Sequence, residues 1–206
     1  ENTMRIIIIS FFLILFVSSQ NKAQDLLNEL ESIESNKIPL LPEKFLVTKK
    51  IFWGKKGLMR NFNRFKLTPE NRQNELKLRK SMFKAHQILG FITLGEMLVQ
   101  GIIGSQLYNG KDIKNAHKTM GRIVNITYFT NASIPLFSPP KMFNERKGFS
   151  NIKLHKILAI VHFSSMVATN ILACKIDTNY DLKPYHRAAA YTAFGSYAAS
   201  MIVIKF

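Results

Sequence analysis

The chain has 206 residues, of which 47% are hydrophobic, and it carries a formal net charge of +16 at pH 7. Its single cysteine, Cys174, excludes an internal disulfide. The basic charge is not accompanied by a zinc-finger, RRM or KH signature, so we expect no nucleic-acid partner. Apolar residues are concentrated at the N-terminus and beyond residue 82, and Lys and Arg flank them. This distribution is typical of a membrane protein in contact with lipid.

The first 24 residues have the pattern of a secretory signal peptide. Arg5 follows Met4 and precedes an apolar run at 6–17, after which small and polar residues continue to Ala23. A bilayer span needs about 20 apolar residues, so this run is too short. We therefore expect a signal peptide over 1–24, with an uncleaved signal anchor as the alternative.

Residues 25–81 form a second, partly helical region that is exported or lies at the membrane interface. The apolar residues of 25–36 share one face of a short acidic helix. From residue 43 onward the chain is strongly basic, and its aromatic residues suit a segment at the lipid head groups. These aromatic residues are Phe52, Trp53, Phe62 and Phe65. The alternative is a solvated linker whose aromatic side chains pack on the membrane domain. Thr68 and Pro69 then mark the start of a charged helix.

Residues 82–206 contain four candidate membrane spans. They lie at about 82–108, 117–138, 153–174 and 186–205, and short connections rich in Gly, Pro, Asn and Asp separate them. Short connections between helices of this length make neighbours antiparallel. The sequence therefore predicts an all-α fold, a four-helix up-down transmembrane bundle that follows the signal peptide and the basic N-terminal segment.

The four-span region repeats itself at an offset of 69 residues. His86 matches His155 and His117 matches His186 at this offset. Further identical matches are Ile88/Ile157, Leu89/Leu158, Met97/Met166, Ile102/Ile171, Asp112/Asp181 and Lys114/Lys183. Such self-similarity predicts two copies of one structural unit, here two duplicated helix pairs.

Each of the four paired histidines lies near the start of a predicted span. Because successive spans alternate in direction, His86 and His155 should meet at one membrane face and His117 and His186 at the other. Two facing imidazoles can hold a haem iron axially. Interfacial histidines without a ligand role are the alternative, but four at one offset favour a ligand role.

Two other metal arrangements fit the sequence less well. A structural zinc site brings four ligands together, whereas these histidines are divided two and two. The chain also lacks the C-x-x-C-H run of covalently attached c-type haem.

The paired histidines on alternate spans resemble the cytochrome b561 family. The resemblance covers about residues 82–206 and implies a core of four membrane helices with one haem b near each face. It implies that His86, His155, His117 and His186 are the axial ligands of two haems. The chain departs from the family in having four predicted spans where many relatives have six, and in lacking a recognisable ascorbate-site signature.

Three further polar residues lie within the predicted spans. His162 is two turns beyond His155, roughly 10 Å deeper, and either replaces it as ligand or hydrogen-bonds to a haem edge. Arg122 lies about one turn inside the second span and is the cation that we expect to pair with a haem propionate. Glu96 is predicted at mid-membrane, as a proton relay or a hydrogen-bond partner.

These features together predict a b-type dihaem cytochrome that moves single electrons across a cell membrane, which we expect to be a bacterial inner membrane. We expect a multi-pass protein in contact with lipid, with a quinol or another cytochrome as redox partner and with homodimer formation left open. Two alternatives are a membrane scaffold or assembly subunit without haem and, more remotely, a soluble basic protein that binds nucleic acid.

Overall fold

The computed structural model describes residues 39–44, 46–142, 148 and 150–205. Over these residues the chain is all-helical, with five α-helices, three short 3-10 helices and no strand. The α-helices are α1 (Val47–Trp53), α2 (Pro69–Tyr108), α3 (Lys114–Phe137), α4 (Asn151–Lys175) and α5 (Lys183–Lys205). The all-α class is confirmed, whereas the predicted signal peptide and the acidic helix at 25–36 lie outside the described residues.

Helix α2 is longer than the sequence predicts. The charged helix that starts at Pro69 and the first candidate span form one helix of 40 residues. Residues 70–89 contain no Gly or Pro, so nothing interrupts the helical hydrogen bonds between the two parts. The domain boundary predicted at 81/82 therefore falls inside a continuous helix.

The chain divides into two compact units. Among the described residues, the first comprises those up to Phe83 together with 136–142, and the second comprises Lys84–Pro135, Gly148 and 150–204. Residues 136–142, predicted as the end of a span and a connection, thus belong with the basic N-terminal region.

The first unit is built around Trp53, which is only 3% exposed. Its indole Nε1 donates a hydrogen bond of 2.8 Å to the carbonyl oxygen of Phe137. Phe65 packs edge-on against the Trp53 ring at 5.3 Å, and Phe52 packs in the same way against Phe137 at 5.1 Å. Three of the four aromatic residues predicted at the head groups therefore pack within this unit, and Phe62 alone is exposed.

A buried ion cluster also stabilises the first unit. The Glu75 carboxylate is fully buried and forms ion pairs with Arg60 and Arg72, which are themselves almost completely buried. Arg72 also donates 2.7 and 2.5 Å bonds to the carbonyl oxygens of Leu40 and Pro140. Buried charges are tolerated when each is paired and its remaining donors are satisfied, as they are here.

The second unit brings together α3, α4, α5 and the larger part of α2. His86 of α2 contacts Asn131 near the end of α3, while Gln100 further along α2 contacts His117 near the start of α3. These contacts make α2 and α3 antiparallel. In the same way, His155 contacts Ser200 and Thr169 contacts His186, so α4 and α5 are antiparallel.

The offset of 69 that relates the histidines also relates the buried residues of this unit. The apolar cluster consists of three pairs at that offset: Met97/Met166, Val124/Ala193 and Tyr128/Tyr197. The buried polar residues of the second unit form two more pairs, Thr93/His162 and Asn131/Ser200. The two halves therefore contribute equivalent positions to one shared core.

Helices α2 and α4 are long and apolar enough to cross a membrane. Only 17% and 11% of the residues in their apolar windows are buried. A core helix of a soluble protein would be mostly buried, so this outward-facing apolar surface supports a membrane protein. Of the four predicted spans, α3 and α5 do not reach the same limit; in α3 the polar residues Arg122, Asn125 and Asn131 lower its apolar character.

We expect the substitution Glu75→Ala to destabilise the first unit by about 3–5 kcal/mol, because two buried guanidinium groups lose their carboxylate partner. Trp53 is the only tryptophan and is buried, so its fluorescence in denaturant reports the unfolding of this unit. Glu70→Ala, which removes an exposed carboxylate from the start of the same helix, should cost less than about 1 kcal/mol. Equal unfolding midpoints for the two variants would contradict the role of the ion cluster.

Candidate functional site

The four repeated histidines meet as two facing pairs within the second unit. The ring centroids of His86 and His155 are 6.5 Å apart, with an angle of 86° between the ring planes. Those of His117 and His186 are 6.3 Å apart, with an angle of 79°. Both pairings are those predicted from the repeat, and all four side chains are half-buried.

Backbone carbonyls orient three of the four imidazole rings. The Nδ1 atom of His86 lies 3.1 Å from the carbonyl oxygen of Asn131, and that of His155 lies 2.9 Å from the carbonyl oxygen of Ser200. The Nδ1 atom of His186 lies 2.9 Å from the carbonyl oxygen of Thr169. A carbonyl oxygen only accepts hydrogen bonds, so Nδ1 carries a proton, and in the neutral ring Nε2 keeps its lone pair. This is the tautomer of a histidine that binds a metal through Nε2.

The carbonyl that orients His86 is available because of Pro135. In a regular helix the carbonyl oxygen of Asn131 would accept a bond from the N–H four residues later. That residue is Pro135, which lies inside α3 and has no N–H. The oxygen therefore has no helical donor and accepts the His86 proton.

His117 has a different environment, formed by Gln100 and Gly104. The Gln100 Nε2 atom lies 3.2 Å from His117 Nδ1 and donates a 3.1 Å bond to the His117 carbonyl oxygen. A Cβ atom at Gly104 would lie 3.1 Å from His117 Cε1, closer than ordinary contacts allow. Glycine at this position therefore makes room for the imidazole.

The two histidine pairs lie at well-separated levels along the helices. His117 contacts Gln100, which is 14 residues beyond His86 on α2, and His186 contacts Thr169, which is 14 residues beyond His155 on α4. Fourteen residues of helix correspond to about 21 Å. The apolar core of a bilayer is about 30 Å thick, so the two levels fit near its opposite sides.

The separation within each pair fits a metal ion held between two imidazoles. A metal–nitrogen bond is about 2.0 Å and a ring centre lies about 1.15 Å behind its nitrogen, which gives ring centres about 6.3 Å apart. Ordinary edge-to-face ring contacts have centroid distances in the same range. The distance therefore points to a metal site only in combination with the Nε2 lone pairs of the oriented rings. Two facing imidazoles are one of the ligand sets with which a protein can hold a haem iron.

His162 lies in the core, midway between the two levels. It is seven residues from both His155 and Thr169, and its Nδ1 atom is 2.6 Å from the hydroxyl oxygen of Tyr128. The Tyr197 ring packs against it with centroids 5.0 Å apart. The structure therefore engages His162 with tyrosines and does not bring it into either histidine pair.

The other polar residues singled out in the sequence have separate environments. Arg122 is exposed on α3 and forms no ion pair with a described residue. Glu96 accepts a hydrogen bond from the hydroxyl group of Thr127. Asn125 and Asn170 exchange two amide hydrogen bonds of 2.7 and 2.9 Å, which join α3 to α4.

Sequence reasoning missed the residues that orient the histidines. Asn131 and Ser200 are related by the offset of 69, as are Gln100 and Thr169, so the repeat carried a signal for them. Three of these residues act through backbone oxygen atoms, which no side-chain pattern reveals. No sequence pattern singled out Pro135, although its lack of an N–H leaves the Asn131 carbonyl oxygen available to His86.

Within the described part of the chain, no three His, Cys, Asp or Glu side chains cluster in a way that could hold a metal ion. A haem held by two histidines needs no such cluster, because the porphyrin supplies the other ligands. Comparison with protein-family models, curated proteins and solved structures gives no match to this chain.

Asp177 links α3 to the connection after α4 at the level of the second pair. Its carboxylate accepts bonds of 2.6 Å from Lys114 and 3.2 Å from Lys118. These bonds lower the pKa of Asp177 below its usual range, and the bond from Lys114 has the largest effect. A depressed pKa means that the stabilisation is fully present above the unfolded value, near 3.9, and is lost as pH falls through the folded value.

We therefore expect Asp177→Asn to lower the thermal unfolding midpoint at neutral pH, with the difference from the unmodified protein disappearing in acid. The measurement is the unfolding midpoint of both proteins as a function of pH. Asp181→Asn, at an exposed carboxylate without an ion pair to any described residue, is the control and should change the midpoint little. A difference between Asp177→Asn and the unmodified protein that persists below the folded pKa would argue against this link.

Proposed function

We propose that this protein is a membrane cytochrome of the b type that binds two haems and transfers single electrons across the bilayer. The observation that carries the proposal is the pair of facing histidine sites, with three rings fixed in the metal-binding tautomer. Zinc is disfavoured because each site offers two protein nitrogens where a structural zinc site uses four ligands. The resemblance to cytochrome b561 in histidine spacing leads to the same proposal.

The proposed architecture is a four-helix up-down transmembrane bundle formed by α2–α5, built from two duplicated helix pairs. The antiparallel contacts, the shared core and the outward-facing apolar residues support it. Each helix is long enough for a bilayer, since about 20 residues suffice. We accordingly propose a multi-pass protein of a cell membrane.

His86 and His155 would hold one haem, and His117 and His186 would hold the other. Bound haem supplies one-electron redox chemistry within the bilayer, with a potential that depends on its ligands and surroundings. Hydrogen bonds from Nδ1 to the carbonyls of Asn131, Ser200 and Thr169 fix the ring orientations and make these ligands more basic. The outward apolar faces exclude water and keep both sites in surroundings of low polarity.

Arg122 is the residue that we assign to a haem propionate near the His117 and His186 pair. It is exposed, lies five residues beyond His117 and is uncommitted to a described carboxylate. The proposed electron donor and acceptor are a quinol and another cytochrome, in either order, on opposite membrane faces. The ligand assignment is the same for a monomer and for a homodimer, because each histidine pair is formed within one chain.

Replacement of one histidine should remove one haem and leave the other, because each pair holds its own iron. We expect about two haems per chain in the purified protein, and about one for His86→Ala, His155→Ala, His117→Ala or His186→Ala. His86→Ala combined with His117→Ala should leave none. The measurement is the reduced-minus-oxidised absorption spectrum, with haem content determined as the pyridine complex.

His162→Gln is the control for these variants, since Tyr128 engages the His162 ring outside both pairs. It should retain both haems. Purified protein without haem, after expression with an adequate haem supply, would contradict the proposal and favour a membrane scaffold without a cofactor. Loss of a haem in His162→Gln alone would show that the ligand assignment is wrong.

Gly104→Ala should disturb the second site selectively. The added methyl group would meet the His117 ring at 3.1 Å, so the ring must move by a few tenths of an ångström from its present position. We expect a lower haem content or an altered spectrum for this site only. Gly90→Ala on the same helix is the matched control, because its methyl group would make ordinary contacts of 3.6–3.7 Å. Equal effects of both substitutions would contradict the fit of His117 against Gly104.

A further inference from the structure

The first unit has an apolar surface that its own fold leaves exposed. Its most exposed apolar side chains are 52–74% accessible and lie between residues 46 and 62. They are Leu46, Val47, Ile51, Leu58 and Phe62, which we call the basic-unit face. The neighbouring aromatic residues Trp53 and Phe65 pack inside the unit, so the face is distinct from its core.

Cationic residues are interleaved in the sequence with the residues of the basic-unit face. Residues 43–66 contain six exposed basic residues and one exposed acidic residue, Glu43. The basic residues are Lys44, Lys50, Lys55, Lys56, Arg64 and Lys66, and none of them forms an ion pair with a described carboxylate. Glu75 of the same unit is buried and paired with Arg60 and Arg72, so its charge is not available to the exposed lysines. The exposed charge of the segment is therefore strongly positive.

Apolar residues interleaved with Lys and Arg are typical of a segment that lies at an anionic membrane surface. The apolar side chains enter the boundary between head groups and acyl chains while the ammonium groups remain at the phosphates. Each Lys or Arg near such a surface strengthens binding about fivefold. The segment also ends at Lys66, only three residues before α2, the helix that carries a candidate membrane span.

We propose that the basic-unit face binds the surface of a membrane that contains anionic lipid, with phospholipid head groups as its ligand. The assignment is independent of the haem proposal, because it uses none of the histidines or their orienting residues. It also corrects which side chains contact lipid. They are the exposed aliphatic residues and Phe62, whereas Trp53 belongs to the interior of the unit.

The test uses an environment-sensitive fluorophore on the full chain. The only cysteine is replaced (Cys174→Ser), Phe62→Cys carries the label, and the protein is placed in phosphatidylcholine nanodiscs with or without phosphatidylglycerol. We expect a blue-shifted emission and protection from iodide only when phosphatidylglycerol is present, with both effects reduced in high salt. A label at Tyr180→Cys, which is 65% exposed in the second unit, should show neither effect.

The charge variant Lys55→Gln with Lys56→Gln should weaken the association about 25-fold, at about fivefold for each lysine. Lys111→Gln with Lys175→Gln removes the same charge from exposed positions in the second unit and should leave the association unchanged. The buried Trp53 reports in every variant whether the first unit is folded.

Three results would overturn the proposal. One is an emission that remains that of a water-exposed label in every lipid. Another is equal protection in neutral and anionic discs, which would indicate a protein cover, for which the acidic segment 25–36 is a candidate by charge. The third is a lipid response that survives both high salt and loss of Lys55 and Lys56, which would remove the electrostatic basis.

Discussion

The hydrogen bond from an imidazole Nδ1 to a helical carbonyl is the interaction on which the arrangement of the second unit depends. It joins neighbouring antiparallel helices, as between His86 of α2 and Asn131 near the end of α3, and it decides which nitrogen of the neutral ring keeps a lone pair. Helical carbonyls are normally engaged by their own helix. Pro135 removes that competition in α3, so a residue with no polar side chain contributes directly to the chemistry of the site.

The duplicated sequence has a structural consequence that neither half provides alone. Each histidine pair takes one ring from α2 or α3 and its partner from α4 or α5. The shared core follows the same rule, with Tyr128 and Tyr197 as equivalent positions. Both halves are therefore required for either site. The symmetry is broken at the midpoint of the core, where His162 occupies the position equivalent to Thr93 and recruits the Tyr128 hydroxyl.

The basic residues of the chain serve two different physical purposes. Arg60 and Arg72 are buried around Glu75, where both pair with its carboxylate and donate further hydrogen bonds to backbone carbonyls. The exposed lysines at 44–66 have no ion pair with a described carboxylate and are interleaved in the sequence with exposed apolar residues. Composition reports only the total of +16, whereas burial separates charge that stabilises a fold from charge available to a membrane.

The sequence by itself determined the helical class, the repeat and the pairing of histidines, because a fixed offset and alternating helix direction leave one way to match them. Tertiary structure decided what short-range patterns do not contain. Trp53 is buried, and its indole N–H donates a hydrogen bond to the carbonyl oxygen of Phe137, 84 residues away in the sequence. His162 was drawn to Tyr128 because both are buried and each satisfies the other. The orienting groups of the histidines are backbone atoms, and the position of a backbone atom is known only once the helices have packed.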